Sequence, residues 1–286
     1  MPELPEVETI RRGLSAGLLG KKINRLEILW PRTVKTNLQK FAKILTGNKI
    51  LNIERLGKLL IFELKNRQYV LVHLKMTGQL IYRAHDKCVA GGHKFLAQDL
   101  KTPNRHTRLI IYFADKSILY FNDLRKFGYF KLVDELTKEK TLKQFGLEPI
   151  QPEFNLNHFK KIFSNRKTTV KALLLNQKLI AGLGNIYADE ACFRAKIRPN
   201  KKAGDLTDRQ LKNLWLACKN ILRQALKYKG TTFNNFVDEK GVKGNYSRFL
   251  RAYGRQGQKC QRCRQAIIKK IKTANRGTHY CPVCQK

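Results

Sequence analysis

Four cysteines near the carboxyl end, Cys260-x2-Cys263-x17-Cys281-x2-Cys284, constrain this chain more than any other feature. Two tight turns each present a pair of thiolates, and four soft ligands close a tetrahedron that suits zinc and leaves no position open for a substrate. The spacing predicts one structural Zn2+, in preference to a disulfide pair or unbound thiols. Such a module is small, and 286 residues imply two domains beside it. Cys88, Cys192 and Cys218 have no partner spacing and read as ordinary residues. Seven cysteines, an odd number with four in metal spacing, suit a reducing compartment.

Charge narrows the partner. The 58 Lys and Arg against 21 Asp and Glu give a formal +37, far more than solubility requires, and point to a polyanion, nucleic acid first. Lys269, Lys270, Lys272, Arg276 and His279 make the stretch between the cysteine pairs a basic hairpin suited to touching DNA. A hydrophobic content of 42% is enough for real cores and argues against a disordered chain. No apolar run approaches ~20 residues, and the start is acidic where a signal peptide is basic and then apolar. A soluble, cytoplasmic protein without a membrane partner is expected.

The start is Met1-Pro2-Glu3-Leu4-Pro5-Glu6-Val7-Glu8-Thr9. Removal of Met1 ahead of the small Pro2 would leave a secondary amine with Glu3 beside it and Glu6 one helical turn on. An α-amino group of pKa about 7.7–8.0 is partly neutral near pH 7 and can attack an electrophilic carbon. A proline adduct with an aldehyde-level carbon is an iminium ion, an electron sink, and two nearby carboxylates could serve as acid and base. The same residues also describe a plain helix start, with Pro5 in the first turn and acids on the positive end of the dipole. Val7, Ile10, Leu14 and Leu18 predict a helix ending at Gly17 or Gly20, whose first turn presents Pro2 and Glu3 to a site rather than burying them.

Strand-like runs follow at Lys22 to Trp30, Lys49 to Leu64, Tyr69 to Tyr82, Arg108 to Phe113, Ser117 to Phe121 and Tyr129 to Val133, with a hairpin turn at Ala114-Asp115-Lys116. Runs at this frequency predict a two-sheet sandwich or barrel. Asp134 to Asn155, with Pro149 and Pro152, reads as a linker, and the chain beyond it is helical. Thr207 with Gln210 opens one helix that places Leu211, Leu214, Trp215, Cys218, Ile221, Leu222 and Leu226 on one face and stops at Gly230. Gly182 and Gly184 precede another helix, which makes either a phosphate-binding helix start or a plain turn. By residue type alone, Lys58 is a surface lysine, Met76 and Phe127 are core, and Thr231 to Phe249 is an ordinary loop.

The opening nine residues resemble those of bacterial formamidopyrimidine-DNA glycosylases. Leu71 to Gly78, Asn122 to Gly128, Gln177 to Tyr187 and Asn275 to Cys281 extend the resemblance, which runs from Met1 to Lys286. It implies an α+β multidomain fold: an N-terminal helix plus β-sandwich over 1–134, a linker over 135–155, a helix-two-turn-helix DNA-binding domain over 156–250 and a zinc-finger β-hairpin over 251–286. It implies a bifunctional glycosylase and apurinic/apyrimidinic lyase, a monomer acting on damaged double-stranded DNA without redox or nucleotide cofactor. Pro2 would be the nucleophile, Glu3 the acid, Lys58 a proton donor in β-elimination and Arg276 the acid of the last elimination. Met76, Arg125 and Phe127 match the family's inserted residues, and His73 joins them in the DNA-binding set. His106, Arg166 and Asn185 match its phosphate contacts. The loop from Thr231 to Phe249 matches loosely, because Lys243-Gly244-Asn245-Tyr246 replaces a more usual Pro-Gly-Tyr-Phe. Two alternatives stand: the related endonuclease VIII type, whose usual opening has glycine where this chain has Leu4, and a zinc-ribbon DNA-binding protein without catalysis.

Overall fold

In a computed structural model of the chain, residues 1–85, 87–92, 101–231 and 245–286 are described. They form two compact units, Met1–Lys143 with Tyr228–Asn245, and Gln144–Lys227 with Tyr246–Lys286.

The first unit opens with α1 (Leu4–Leu18), whose Val7, Ile10, Leu14 and Leu18 are each at most 1% exposed. Burying a side chain of this kind contributes about 1.5–3 kcal/mol. Gly20, at φ +77°, turns the chain after the helix, so the later of the two glycines is the stop. There follow β1 (Ile23–Ile28), α2 (Leu38–Leu45), β2 (Ile50–Leu56), β3 (Leu59–Leu64), β4 (Tyr69–His73), β5 (Gly78–Ala84), β6 (Lys87–Gly92), β7 (Thr107–Phe113), β8 (Ile118–Asp123), β9 (Tyr129–Val133) and α3 (Glu135–Leu142). The strands make two antiparallel sheets, ordered β1-β7-β8-β5-β6 and β2-β3-β4-β9. Alternate residues of each, among them Leu80, Tyr82, Leu109 and Ile111 from one and Leu60, Phe62, Val70 and Val72 from the other, share one core with α1. The sandwich is therefore as expected. The runs Lys49 to Leu64 and Tyr69 to Tyr82 each divide into two strands, at Gly57-Lys58 and at Leu74 to Thr77, and these turns carry Lys58 and Met76.

The second unit holds α4 (Leu156–Phe163), α5 (Val170–Leu175), α6 (Asn185–Ala195), α7 (Asp208–Lys227) and the hairpin β10 (Lys269–Thr273) with β11 (Arg276–Tyr280). A capping box starts α7: Thr207 N donates to Gln210 Oε1 at 3.1 Å, and Gln210 N to Thr207 Oγ1 at 3.3 Å. The Trp215 indole donates to the Phe154 carbonyl at 2.8 Å, which accounts for it without a functional role. Zinc-finger residues group with these helices because the buried Glu190 carboxylate accepts the backbone amides of Arg251, Ala252 and Tyr253 at 2.8–3.1 Å. Of the loop read at Thr231 to Phe249, residues 232–244 lie outside the described residues. No helix among the described residues is long and apolar enough to cross a membrane.

Candidate active site and nucleic-acid interface

Pro2 and Glu3 are buried, Glu3 to 1% exposure, where the helix start was expected to leave them open. Glu6 ties this start to residue 231. Its Oε2 accepts from Glu3 N at 3.0 Å, while Oε1 accepts from Thr231 N at 2.8 Å and Thr231 Oγ1 at 3.0 Å. Gly230 makes that approach possible: it sits at φ +82°, and a Cβ there would lie 2.6 Å from Glu6 Oε1. Of the two carboxylates that could have been acid and base, Glu6 is committed to holding backbone, and Glu3 forms the other half of a capping box at the start of α1. Burial lowers the pKa of the Met1 amine from its ordinary 8.0; Glu3 and Glu6 pull it up and Lys58 adds to the lowering. A lowered amine has a larger neutral fraction at neutral pH.

Lys58 is 6% exposed, not a surface residue. It occupies the second position of the two-residue hairpin between β2 and β3, with Gly57 at φ +58° in the first, where such turns favour glycine. Arg55 pins this turn to α1: its Nε donates to Glu8 Oε2 at 3.1 Å and its Nη1 to the Gly57 carbonyl at 3.0 Å. Burial alone would raise the Glu8 pKa, but hydrogen bonds from Arg11 and Arg12 and the charge of Arg55 outweigh it and hold Glu8 at about 2. A carboxylate depressed on folding adds stability above its unfolded pKa and loses it as pH falls toward the folded value. Thermal unfolding of the first unit is therefore expected to shift down as pH drops from about 4.5 to about 2, with Glu8→Gln flattening that limb; an equally steep limb in the variant would contradict it.

At the end of β4, burial, then Lys75 and Lys58, push the His73 pKa down to about 3. Its Nδ1 accepts from Lys75 N at 2.9 Å, so the neutral ring carries its proton on Nε2 and can only donate there. Met76 is half-buried in the β4–β5 turn, which closes through Gly78 N donating to the Leu74 carbonyl at 2.9 Å. Phe127 is 53% exposed between β8 and β9, which corrects the core reading of its residue type, and the Arg125 guanidinium lies 4.8 Å from its ring centroid. Leu124, 58% exposed at the same tip, is a further apolar side chain that the sequence did not single out. His106 lies just before β7 and is half-buried.

In the second unit, Gly182 at φ +92° and Gly184 at the N-cap lead into α6, and glycine puts no side chain over the first amides of that helix. Asn185, its first residue, donates through Nδ2 to the Gly277 carbonyl at 3.0 Å, which fixes the strand of Arg276 beside it. Arg276 itself is exposed at the hairpin turn, and Arg166 is exposed ahead of α5. Fully buried Lys171 and Asp189 form an ion pair beneath this strand, with Lys171 Nζ also donating to Thr278 Oγ1 at 2.8 Å. Asp189 Oδ2 accepts from His279 N at 2.8 Å and lies 3.1 Å from His279 Nδ1. His279 is thus a buried strut, 7% exposed, and not part of the basic surface expected of the hairpin. Lysine 171 and Asp189 escaped the sequence reading because a lone Lys or Asp on a helix is ordinarily solvated.

The four cysteine sulfurs lie within 4.8 Å of one another, with Cys260 and Cys284 at 3.8 Å and Cys263 and Cys281 at 3.8 Å. A tetrahedron of Zn–S bonds of about 2.3 Å has sulfur–sulfur edges of about 3.8 Å, whereas a disulfide needs about 2.05 Å. The donor set fits zinc and excludes the disulfide alternative.

Three family models match in succession: the formamidopyrimidine-DNA glycosylase N-terminal domain over residues 1–130, the H2TH domain of the same glycosylase over 145–237, and the zinc finger found in FPG and IleRS over 257–286. A protein of Pelotomaculum thermopropionicum named formamidopyrimidine-DNA glycosylase is 42% identical, covering 100% of this chain and 99% of its own. The chain belongs to the formamidopyrimidine-DNA glycosylase family. A second protein of that name, from Herpetosiphon aurantiacus, is 39% identical over the full length of both. Among solved structures, a Lactococcus lactis FPG mutant with DNA containing Fapy-dG is 36% identical, covers 100% of both chains and superposes with a TM-score of 0.87. The Lactococcus lactis glycosylase bound non-covalently to DNA with an AP site, also 36% identical, covers 99% of both with a TM-score of 0.85. Membership in this glycosylase family overturns the non-catalytic zinc-ribbon alternative.

The glycosylase zinc finger of this chain holds one structural zinc on Cys260, Cys263, Cys281 and Cys284. Metal analysis should give about one zinc per chain. Cys281→Ser should lower both zinc content and DNA binding, by about tenfold or more for binding, while the first unit keeps its fold. Full DNA affinity in metal-free protein would contradict this.

Proposed function

We propose that Pro2, freed by removal of Met1, is the nucleophile of this glycosylase, and that Glu3 and Lys58 move the protons. The enzyme removes oxidised purines, 8-oxoguanine and formamidopyrimidines, from duplex DNA and then cuts the strand as a lyase. What supports the residue roles is the burial of Pro2, Glu3 and Lys58, with Arg55 tying the Lys58 turn to α1 through Glu8.

The neutral amine forms a bond to C1′ of the damaged nucleotide, and Glu3 receives the proton the amine sheds. Glu3 passes that proton to O4′ as the sugar ring opens, and the base departs with its bonding pair. The resulting iminium acidifies the C2′ proton. Its removal expels the 3′ phosphate, and a second elimination expels the 5′ phosphate, with Lys58 and Arg276 donating to the leaving oxygens. Water then hydrolyses the adduct and restores Pro2. Zinc only holds the finger that carries Arg276, through its four cysteine ligands.

Met76, Arg125 and Phe127 fill the gap the extruded nucleotide leaves, because unstacking costs a few kcal/mol per step unless something replaces it. His73, as a neutral donor, joins His106, Arg166 and Asn185 on backbone phosphates. We place the protein as a monomer in the cytoplasm of a bacterial cell. The test is a labelled duplex with 8-oxoguanine opposite cytosine. A one-nucleotide gap with phosphate on both ends is expected; release of base from an uncut strand, or a nick ending in a sugar aldehyde, would contradict the double elimination.

A further inference from the structure

We infer that Asp123 is a positioning residue that makes the Met76 turn and the loop from Leu124 to Gly128 enter DNA as one body. The inference rests on the reading of Met76 and Phe127 as inserted side chains. Asp123, 1% exposed, ends β8. Its Oδ1 accepts from the Thr77 hydroxyl and from Arg125 N at 3.2 Å, and its Oδ2 accepts from Gly128 N at 2.6 Å. Thr77 Oγ1 in turn accepts from Arg125 N at 2.9 Å, so one hydroxyl joins the residue after Met76 to the loop of Phe127. The backbone of Asp123 ties in a third loop, its N donating to the His106 carbonyl at 2.8 Å and its carbonyl accepting from Arg108 Nε at 3.0 Å. Gly128 must pass close by: a Cβ there would lie 3.1 Å from Asp123 Oδ2 and 2.5 Å from the Phe121 ring.

Three donors converge on two oxygens, which asks for a carboxylate. An amide would turn its NH2 toward either the Thr77 side or Gly128 N. Hydrogen bonds to an ionised acceptor are the strong ones, and here they are buried. Two fillers on independently moving loops would each lose conformational freedom on insertion, whereas a preorganised pair has lost it already.

The test is a double-mutant cycle between Met76→Ala and Phe127→Ala, read as the rate of lesion extrusion from 2-aminopurine fluorescence beside 8-oxoguanine. It is run in the parent protein and in Thr77→Val, which removes the linking hydroxyl at nearly constant shape. In the parent the two losses should combine to roughly fivefold or more below their product, and in Thr77→Val to their product within about twofold. Thr77→Val alone should slow extrusion about tenfold and leave cleavage of a single-stranded abasic oligonucleotide within about twofold, with Thr77→Ser restoring the parent rate. Asp123→Asn should show the same pattern. Unchanged non-additivity in Thr77→Val overturns the coupling. Parallel loss on both substrates together with a lower Tm reduces Asp123 to support of the fold and overturns it too. If neither alanine variant alone alters extrusion, the insertion reading itself has failed, and the inference falls with it.

Discussion

Glu3→Gln is expected to bind lesion DNA within about threefold of the parent protein and to excise the base about 10^2–10^4 times more slowly. The amide keeps the size and shape of the side chain in a site that is 1% exposed, so the helix start should persist. Glu6 Oε2 accepts from the backbone of residue 3 and is indifferent to the side chain there. Only the capacity to take a proton from the amine and hand it to O4′ is lost. A pre-formed abasic site has no base to expel and already opens to the aldehyde, so the variant should retain more strand cleavage on that substrate. Single-turnover excision alongside a binding titration separates the two effects. Undiminished excision would remove Glu3 from the proton path.

How much of this was legible before the structure depends on what each residue's neighbours in the chain reveal. The α1 stripe and the four cysteines are periodic or spaced features, and both were read correctly because their partners lie on the same element or in matched turns. Lys58 was not, since nothing within its hairpin shows that Arg55 and Glu8 hold that turn against α1. His279 looked like one more cation on a basic hairpin, because Asp189, the residue that buries it, is 90 residues away. Asp123 ahead of a polar turn looks solvated until strand pairing, β5 against β8, brings Thr77 to it and the turn folds Gly128 N back onto it. Phe127 by type belongs in a core, and only the resemblance set it apart. Short elements such as α2, with eight residues, and β6 carry too few periods to be read from the sequence.

A chain that keeps Met1 is expected to lose excision by at least about 10^3-fold, a proximity-scale effect. In that chain the nitrogen of Pro2 is a peptide amide, whose lone pair is delocalised into the carbonyl and cannot attack. The Met1 amine is displaced along the chain by about 3.8 Å per residue, beyond the ~3–3.5 Å at which reacting atoms must meet.

Borohydride reduction during turnover tests the central claim directly, because it converts an iminium between enzyme and sugar into a stable amine. The processed protein, mixed with a duplex carrying 8-oxoguanine opposite cytosine, should give a covalent protein–DNA adduct, and peptide mapping should place it on Pro2. Acetylating the terminus or retaining Met1 should abolish it. An adduct on Lys58, or trapping that survives a blocked terminus, would contradict the assignment of Pro2 as nucleophile.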